Sequence, residues 1–175
     1  MITEVEIRET AASDLALLER LYRHSFPDED LISLVGDLIT LDANVLSLAA
    51  DAKGAMIGHI AFTRGTVGAG GPRVALLAPL AVASDLQRKG VGRALVAAGF
   101  ERLAKASIAH VYVLGDPVYY ARLGFKREDC VRPPYQLPDE WTGAWQSIRL
   151  SDAAVAPAGA LDLPAVWLKP QLWLP

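Results

Sequence analysis

Leu76-Leu77-Ala78-Pro79-Leu80-Ala81-Val82, then Ala83-Ser84-Asp85-Leu86, then Gln87-Arg88-Lys89-Gly90-Val91-Gly92-Arg93-Ala94-Leu95 is the stretch on which the reading of this chain turns. An apolar run of strand length comes first, a short polar connection follows, and helical periodicity begins at the second glycine. Gly90 and Gly92 remove side chains where the turn enters the helix, so backbone N–H groups can come close to a ligand. A helix N-terminus carries unpaired N–H donors and the positive end of the peptide dipole, which together favour phosphate. Arg88, Lys89 and Arg93 add positive charge around that end. The turn is therefore expected to hold a diphosphate.

It is neither of two familiar phosphate loops. A P-loop has four residues between its glycines and then Lys-Ser or Lys-Thr, which this chain lacks. The dinucleotide fingerprint places a third glycine where Leu95 stands. A glycine turn that merely packs a helix tightly on a sheet is the plainer reading of the six residues taken alone. Gln-x-x-Gly-x-Gly after a strand, with Gln87, Gly90 and Gly92 at the motif positions, resembles the acetyl-CoA-binding motif of the GNAT superfamily of N-acetyltransferases.

Composition bounds the alternatives. The chain of 175 residues suits one domain with a sizeable core, and its 52% apolar and 21% charged residues exclude a disordered chain. A net charge of −3 argues against a surface that coats nucleic acid, and it makes the basic turn stand out. Cys130 is the single cysteine, which excludes an internal disulfide and a Cys-rich metal site; no metal is expected. There is no signal-peptide pattern, nor any run near the ~18 apolar residues of a spanning helix. A reduced, cytoplasmic setting is expected, without a membrane or nucleic-acid partner.

Residues 5–8 alternate apolar and polar as a first strand, and Ser13 or Asp14 is a candidate cap for a helix carrying Leu15, Leu18, Leu21 and Tyr22. Phe26-Pro27 stops that helix. A second helix is expected over 29–38. Residues 44–50 and 56–66 read as a hairpin turned at 51–54. His59, inside the second of these strands, reads first as a packed residue and second as a catalytic base. The next strand covers 73–82, with Pro79 marking a bulge or a place where strands separate. A helix over 92–106 buries Leu95, Val96, Gly99, Phe100 and Leu103, and 111–114 is a short apolar strand. Strand, helix and strand form a β-α-β unit, so its two strands should be parallel. Asp116 and Pro117 suit the start of a short helix. Beyond Cys130 the chain is rich in proline and tryptophan; 144–150 reads as a last strand and 153–163 as a loop.

A second match lies in this region. Tyr120-Ala121-Arg122-Leu123-Gly124-Phe125 resembles the Tyr-x-x-x-Gly-Phe element that closes the GNAT core, and the run 114–125 looks most like the YhbS-like subgroup. The resemblance covers roughly residues 5–130 and implies a mixed α/β fold: a mostly antiparallel sheet with a splayed parallel strand pair and flanking helices. It implies one N-acetyltransferase domain over 1–175, in which 131–175 completes the sheet and the acceptor pocket. It also implies that backbone at Leu80, Ala81 and Val82 holds the acetyl carbonyl and upper pantetheine, and that Gln87, Arg88, Lys89, Gly90, Val91, Gly92 and Arg93 hold the diphosphate. The tyrosine at the place of Tyr120 commonly protonates the coenzyme A sulfur in such enzymes. Tyr119 is its rival within the same short helix, because residues 100° apart cannot both face one atom. Asp116 departs from the asparagine often found there, which puts an asparagine-type contact in doubt.

The expected reaction is transfer of acetyl from acetyl-CoA to a primary amine of a small molecule or protein by direct attack, in a monomer or homodimer. His59, Asp28, Glu29 and Asp30 are candidate bases, the last three reading equally as a solvated cluster, and no base is assigned. A non-catalytic acyl-CoA-binding domain, or a transferase using another acyl donor, is the alternative.

Overall fold

The computed structural model describes residues 4–41 and 43–174; residues 1–3, 42 and 175, which the expected 1–175 domain includes, lie outside the described residues. The chain forms two compact units, 1–62 with 78–101 and 63–77 with 102–175, and the boundaries fall within two long strands and one helix.

In the first unit, β1 (Glu6–Glu9) pairs antiparallel with β2 (Val45–Ala52), and β3 (Ala55–Val67) and β4 (Arg73–Val82) follow in the order β1-β2-β3-β4. Two helices, α1 (Leu15–Ser25) and α2 (Ile32–Thr40), contribute Leu18, Leu21, Tyr22 and Val35 to a core cluster that includes Ala81 of β4. Burial of each such leucine is worth about 1.5–3 kcal/mol, which is why the apolar spacing at 18, 21 and 22 holds α1 in place. The expected cap at Asp14 is not made. Its carboxylate accepts from Arg8 at 2.8 and 3.0 Å and from the Ala11 N–H at 2.7 Å, while Arg8 also donates to Asp51 at 2.6 Å. A paired guanidinium competes better for a carboxylate than a neutral amide does. The helix expected over 29–38 begins at Ile32, so the acidic residues Asp28, Glu29 and Asp30 stay in the exposed turn before it.

In the second unit, the sheet order is β4-β5-β8-β6, with β5 at His110–Leu114, β6 at Lys126–Arg127 and β8 at Trp145–Arg149. β5 runs parallel to β4, with Ala75 opposite Val111 and Leu76 opposite Tyr112, as the β-α-β reading requires. β8 is antiparallel to β5 over its whole length. The loop expected over 153–163 contains a strand instead. Here β9 (Gly159–Asp162) pairs antiparallel with the end of β3 and parallel with β7 (Val131–Arg132). Four residues without periodicity give no local signal; the open edge at the end of β3 supplies the partner. Trp145, Trp167 and Trp173 form a buried aromatic cluster, with the Trp167 indole N–H donating to Thr63 Oγ1 at 2.9 Å. The mixed sheet, mostly antiparallel with a parallel β4–β5 pair and flanking helices, is the architecture the motifs implied.

Candidate active site

The turn after β4 lies wholly in the first unit. Ser84–Leu86 is one 3-10 turn, Gln87 is extended, Arg88 has a φ of 61° and Gly90 a φ of 90°. Only glycine takes the latter conformation without strain, so the first glycine of the motif follows from the backbone path. The helix α3 (Val91–Lys105) starts one residue earlier than expected. Its first internal bond runs from the Ala94 N–H to the Gly90 carbonyl at 3.0 Å. Among the described residues, the N–H groups of Val91, Gly92 and Arg93 meet no protein acceptor, and no side chain caps them. Three such donors at one helix start, with exposed Arg88, Lys89 and Arg93 around them, fit a diphosphate. Gly58 of β3 brings this helix start close to the sheet: a Cβ there would stand 3.0 Å from both Val91 Cγ1 and Leu95 Cδ1. A glycine inside a strand is the signal that marked this close approach in the sequence.

Upstream of the turn, β4 runs through Pro79 to Val82, and its pairing with β5 is confined to Ala75 and Leu76 among the described residues. The Ala83 N–H donates to the Ile57 carbonyl of β3 at 2.9 Å. Polar groups alternate between the two edges of a strand, so those of Ala81 face β3, while the N–H and C=O of Leu80 and Val82 face the other edge. The Val82 carbonyl accepts from Ser25 Oγ at 3.1 Å and from Gln87 Nε2 at 3.2 Å. Ser25 carried no motif and was not among the expected site residues.

His59 is a satisfied core residue, only 1% exposed. Its Nδ1 is 2.8 Å from the Tyr22 hydroxyl and its Nε2 2.7 Å from Ser47 Oγ, which in turn accepts from Thr10 Oγ1 at 2.7 Å. Burial holds its pKa down at about 3, opposed weakly by Asp14, so the ring is neutral at pH 7 with both nitrogens engaged. A groove of about 360 Å³ lined by Thr10, Leu38, Val45 and Ser47 includes none of the motif residues.

The second motif belongs to the second unit. Asp116 caps α4 (Pro117–Ala121) by accepting from the Val118 N–H at 2.9 Å. The Tyr120 ring lies over Gly115, where a Cβ would stand 2.5 Å from its Cε2, and edge-on to Phe125 at 5.4 Å. Gly115 and Phe125 thus set the ring's position. Tyr119 is more exposed, with its ring 5.0 Å from that of Tyr120 and nearly perpendicular. Among the described residues no hydrogen bond is made by the Tyr120 hydroxyl. Burial pushes its pKa above the ordinary phenol value, with Tyr119 and Asp116 adding to the shift, so it carries its proton at neutral pH. Among the described residues, no cluster of three or more His, Cys, Asp or Glu side chains is arranged to hold a metal ion, and no helix is long and apolar enough to cross a membrane.

A glycine turn with open amides behind a strand, in a mixed sheet whose β4–β5 pair is parallel, is the arrangement that the GNAT resemblance implied. The chain belongs to the Acetyltransferase (GNAT) family, whose sequence model matches residues 15–125. It is 37% identical over 142 residues to the N-acetyltransferase YjhQ of Escherichia coli strain K12, covering 77% of this chain and 76% of that protein. The N-acetyltransferase YhbS of the same strain is 33% identical over 159 residues, 89% of this chain and 90% of YhbS. The crystal structure of Escherichia coli YhbS in complex with CoA superposes with a TM-score of 0.83 at 30% identity, over 94% of this chain and 92% of that one. A Brucella melitensis GNAT acetyltransferase in complex with acetyl-CoA gives a TM-score of 0.75 at 25% identity, over 93% and 97%.

Proposed function

We propose that this N-acetyltransferase binds acetyl-CoA through the turn 87–93 and transfers the acetyl group directly to a primary amine. The observation that carries the reading is the set of unpartnered N–H groups of Val91, Gly92 and Arg93 behind the left-handed Gly90. Those amides, with Arg88, Lys89 and Arg93, hold the diphosphate, and the outward edge of β4 at Leu80 and Val82 carries the pantetheine arm. Ala81 contributes its place in the strand, its polar groups being directed to β3. The YhbS and Brucella structures in complex with CoA and acetyl-CoA support this assignment.

Holding the thioester by two anchors makes the attack effectively intramolecular. A backbone N–H on the outward edge of β4 receives the negative charge that develops on the acyl oxygen. Tyr120 supplies the proton to the departing thiolate; its motif position, its unpartnered hydroxyl and its raised pKa all support a group that arrives protonated. Neutral His59, with both nitrogens engaged, takes no part as a base, and the amine's proton leaves to water. Residues 131–175 are proposed to finish the acceptor pocket within one domain spanning the chain, acting in the cytoplasm as a monomer or homodimer.

Calorimetry with CoA and acetyl-CoA, and thiol release over a panel of primary amines, tests this reading. Binding and turnover are expected. Tyr120→Phe should lower kcat about 100-fold while leaving CoA affinity unchanged. No binding of CoA would refute the reading, and binding without turnover on any amine would reduce the protein to an acyl-CoA-binding module.

A further inference from the structure

We infer that Gln146 is a positioning residue for the Tyr120 phenol, acting through the peptide between Gly115 and Asp116; this rests on the proton-donating role proposed for Tyr120. Gln146 lies in the middle strand β8, opposite Val113 of β5 on one side and Arg127 of β6 on the other. It is only 2% exposed. A side-chain amide at such a place costs free energy that a methionine of similar length would not, unless its donors are used. Here they are used: Nε2 donates to the Gly115 carbonyl at 3.2 Å and to the Ala144 carbonyl at 3.3 Å. Two carbonyl neighbours also decide which end of the amide is nitrogen. Gly115 follows β5, Ala144 precedes β8, and the Gly115 N–H donates to the Ala144 carbonyl at 3.0 Å. One glutamine side chain thus ties off the end of the β5–β8 ladder.

The Gly115 carbonyl belongs to the peptide that leads into α4. Asp116, the next residue, holds that helix twice. Its carboxylate accepts from the Val118 N–H at 2.9 Å, and its carbonyl accepts from the Tyr120 N–H at 3.0 Å. A planar peptide fixed at its oxygen does not rotate, so Gln146 sets the direction in which Asp116 starts the helix. Gly115 is also the surface on which the phenol ring rests, a Cβ there standing 2.5 Å from Tyr120 Cε2. The orientation of Gly115 therefore reaches Tyr120 by two routes, the helix start and the ring contact. The residue type follows from this task. Glutamate offers one donor at most when protonated and none when ionised, and methionine offers none. Either change leaves the Ala144 carbonyl with the Gly115 N–H but takes the amide donor from the Gly115 carbonyl.

The test is a double-mutant cycle between Gln146 and Tyr120. Gln146→Met and Gln146→Glu should each lower kcat about tenfold, because a reacting group displaced by about 1 Å loses that much or more. CoA affinity should stay within about twofold, since the turn 87–93 belongs to the other unit. In a Tyr120→Phe background the same changes should alter kcat by less than about twofold, there being no phenol left to position. In the ligand-free protein, the NOE between the Gly115 Hα protons and the Tyr120 ring should weaken in both variants, with the Tyr22 ring signals unmoved. The two variants differ in polarity, so a folding defect in one leaves the other to carry the test. An equal loss of kcat in both backgrounds, an unchanged kcat, or an unchanged NOE would each overturn the inference. Full activity of Tyr120→Phe would instead remove the acid from the proposed function, and the NOE would then decide whether Gln146 sets the ring.

Discussion

Lowering the pH from 7.5 to 5.0 should destabilise this protein through one buried ring. His59 has an ordinary pKa of 6.5 when unfolded and about 3 when folded, because burial disfavours the imidazolium. A lowered histidine pKa means that the unfolded chain takes up a proton between these values and the folded chain does not. The stability it contributes is therefore complete above pH 6.5 and is lost as the pH falls from 6.5 towards 3. At pH 5 the unfolded imidazole is almost fully protonated and the folded one is not, which amounts to about 2 kcal/mol relative to pH 7.5. Asp14 titrates lower, since the hydrogen bond from Arg8 holds its pKa below the usual 3.8, so it stays silent in this window. His110, also pushed down by burial, adds a loss of the same sign. Urea denaturation of the wild type and of His59→Gln at both pH values isolates the His59 part. The variant should be less stable at pH 7.5, having lost bonds to Tyr22 and Ser47, yet lose about 2 kcal/mol less on acidification. Equal acid sensitivity in the two proteins, or an NMR titration placing His59 near 6.5, would refute the reasoning.

Two further outcomes bear on the site. Gly90→Val forces a β-branched residue to a φ of 90°, at a cost of about 1–3 kcal/mol, and should weaken CoA binding about tenfold or more as measured by calorimetry. Gly115→Ala places a methyl 2.5 Å from the Tyr120 ring. A shift of the phenol by about 1 Å should lower kcat by about tenfold or more with CoA affinity unchanged, and an unchanged kcat would detach the ring's position from turnover.

The conformation of the glycine turn was legible because its requirements are local. A left-handed backbone at Gly90 and open amides at a helix start follow from residue type and order, and β4 was read over its observed span, Arg73–Val82. The same holds for the Asp116 cap, which needs only the amide two residues on. Readings that depended on a partner far along the chain went differently. Asp14 was free to cap α1 until the fold brought Arg8 to its carboxylate, and residues 159–162 became a strand because β3 ended with an edge to fill.

Sequence by itself therefore determined the class of this protein, through two short motifs in a fixed order with a strand and a helix between them. Tertiary structure decided what the side chains around them do. His59 is neutral because Tyr22 and Ser47, distant in sequence, enclose it, and Tyr120 lies where Gly115 leaves room. Ser25 and Gln87 meet on one carbonyl 57 and five residues away along the chain. Backbone conformation is set by neighbours in the chain, whereas desolvation and hydrogen-bond partnership are set by neighbours in space.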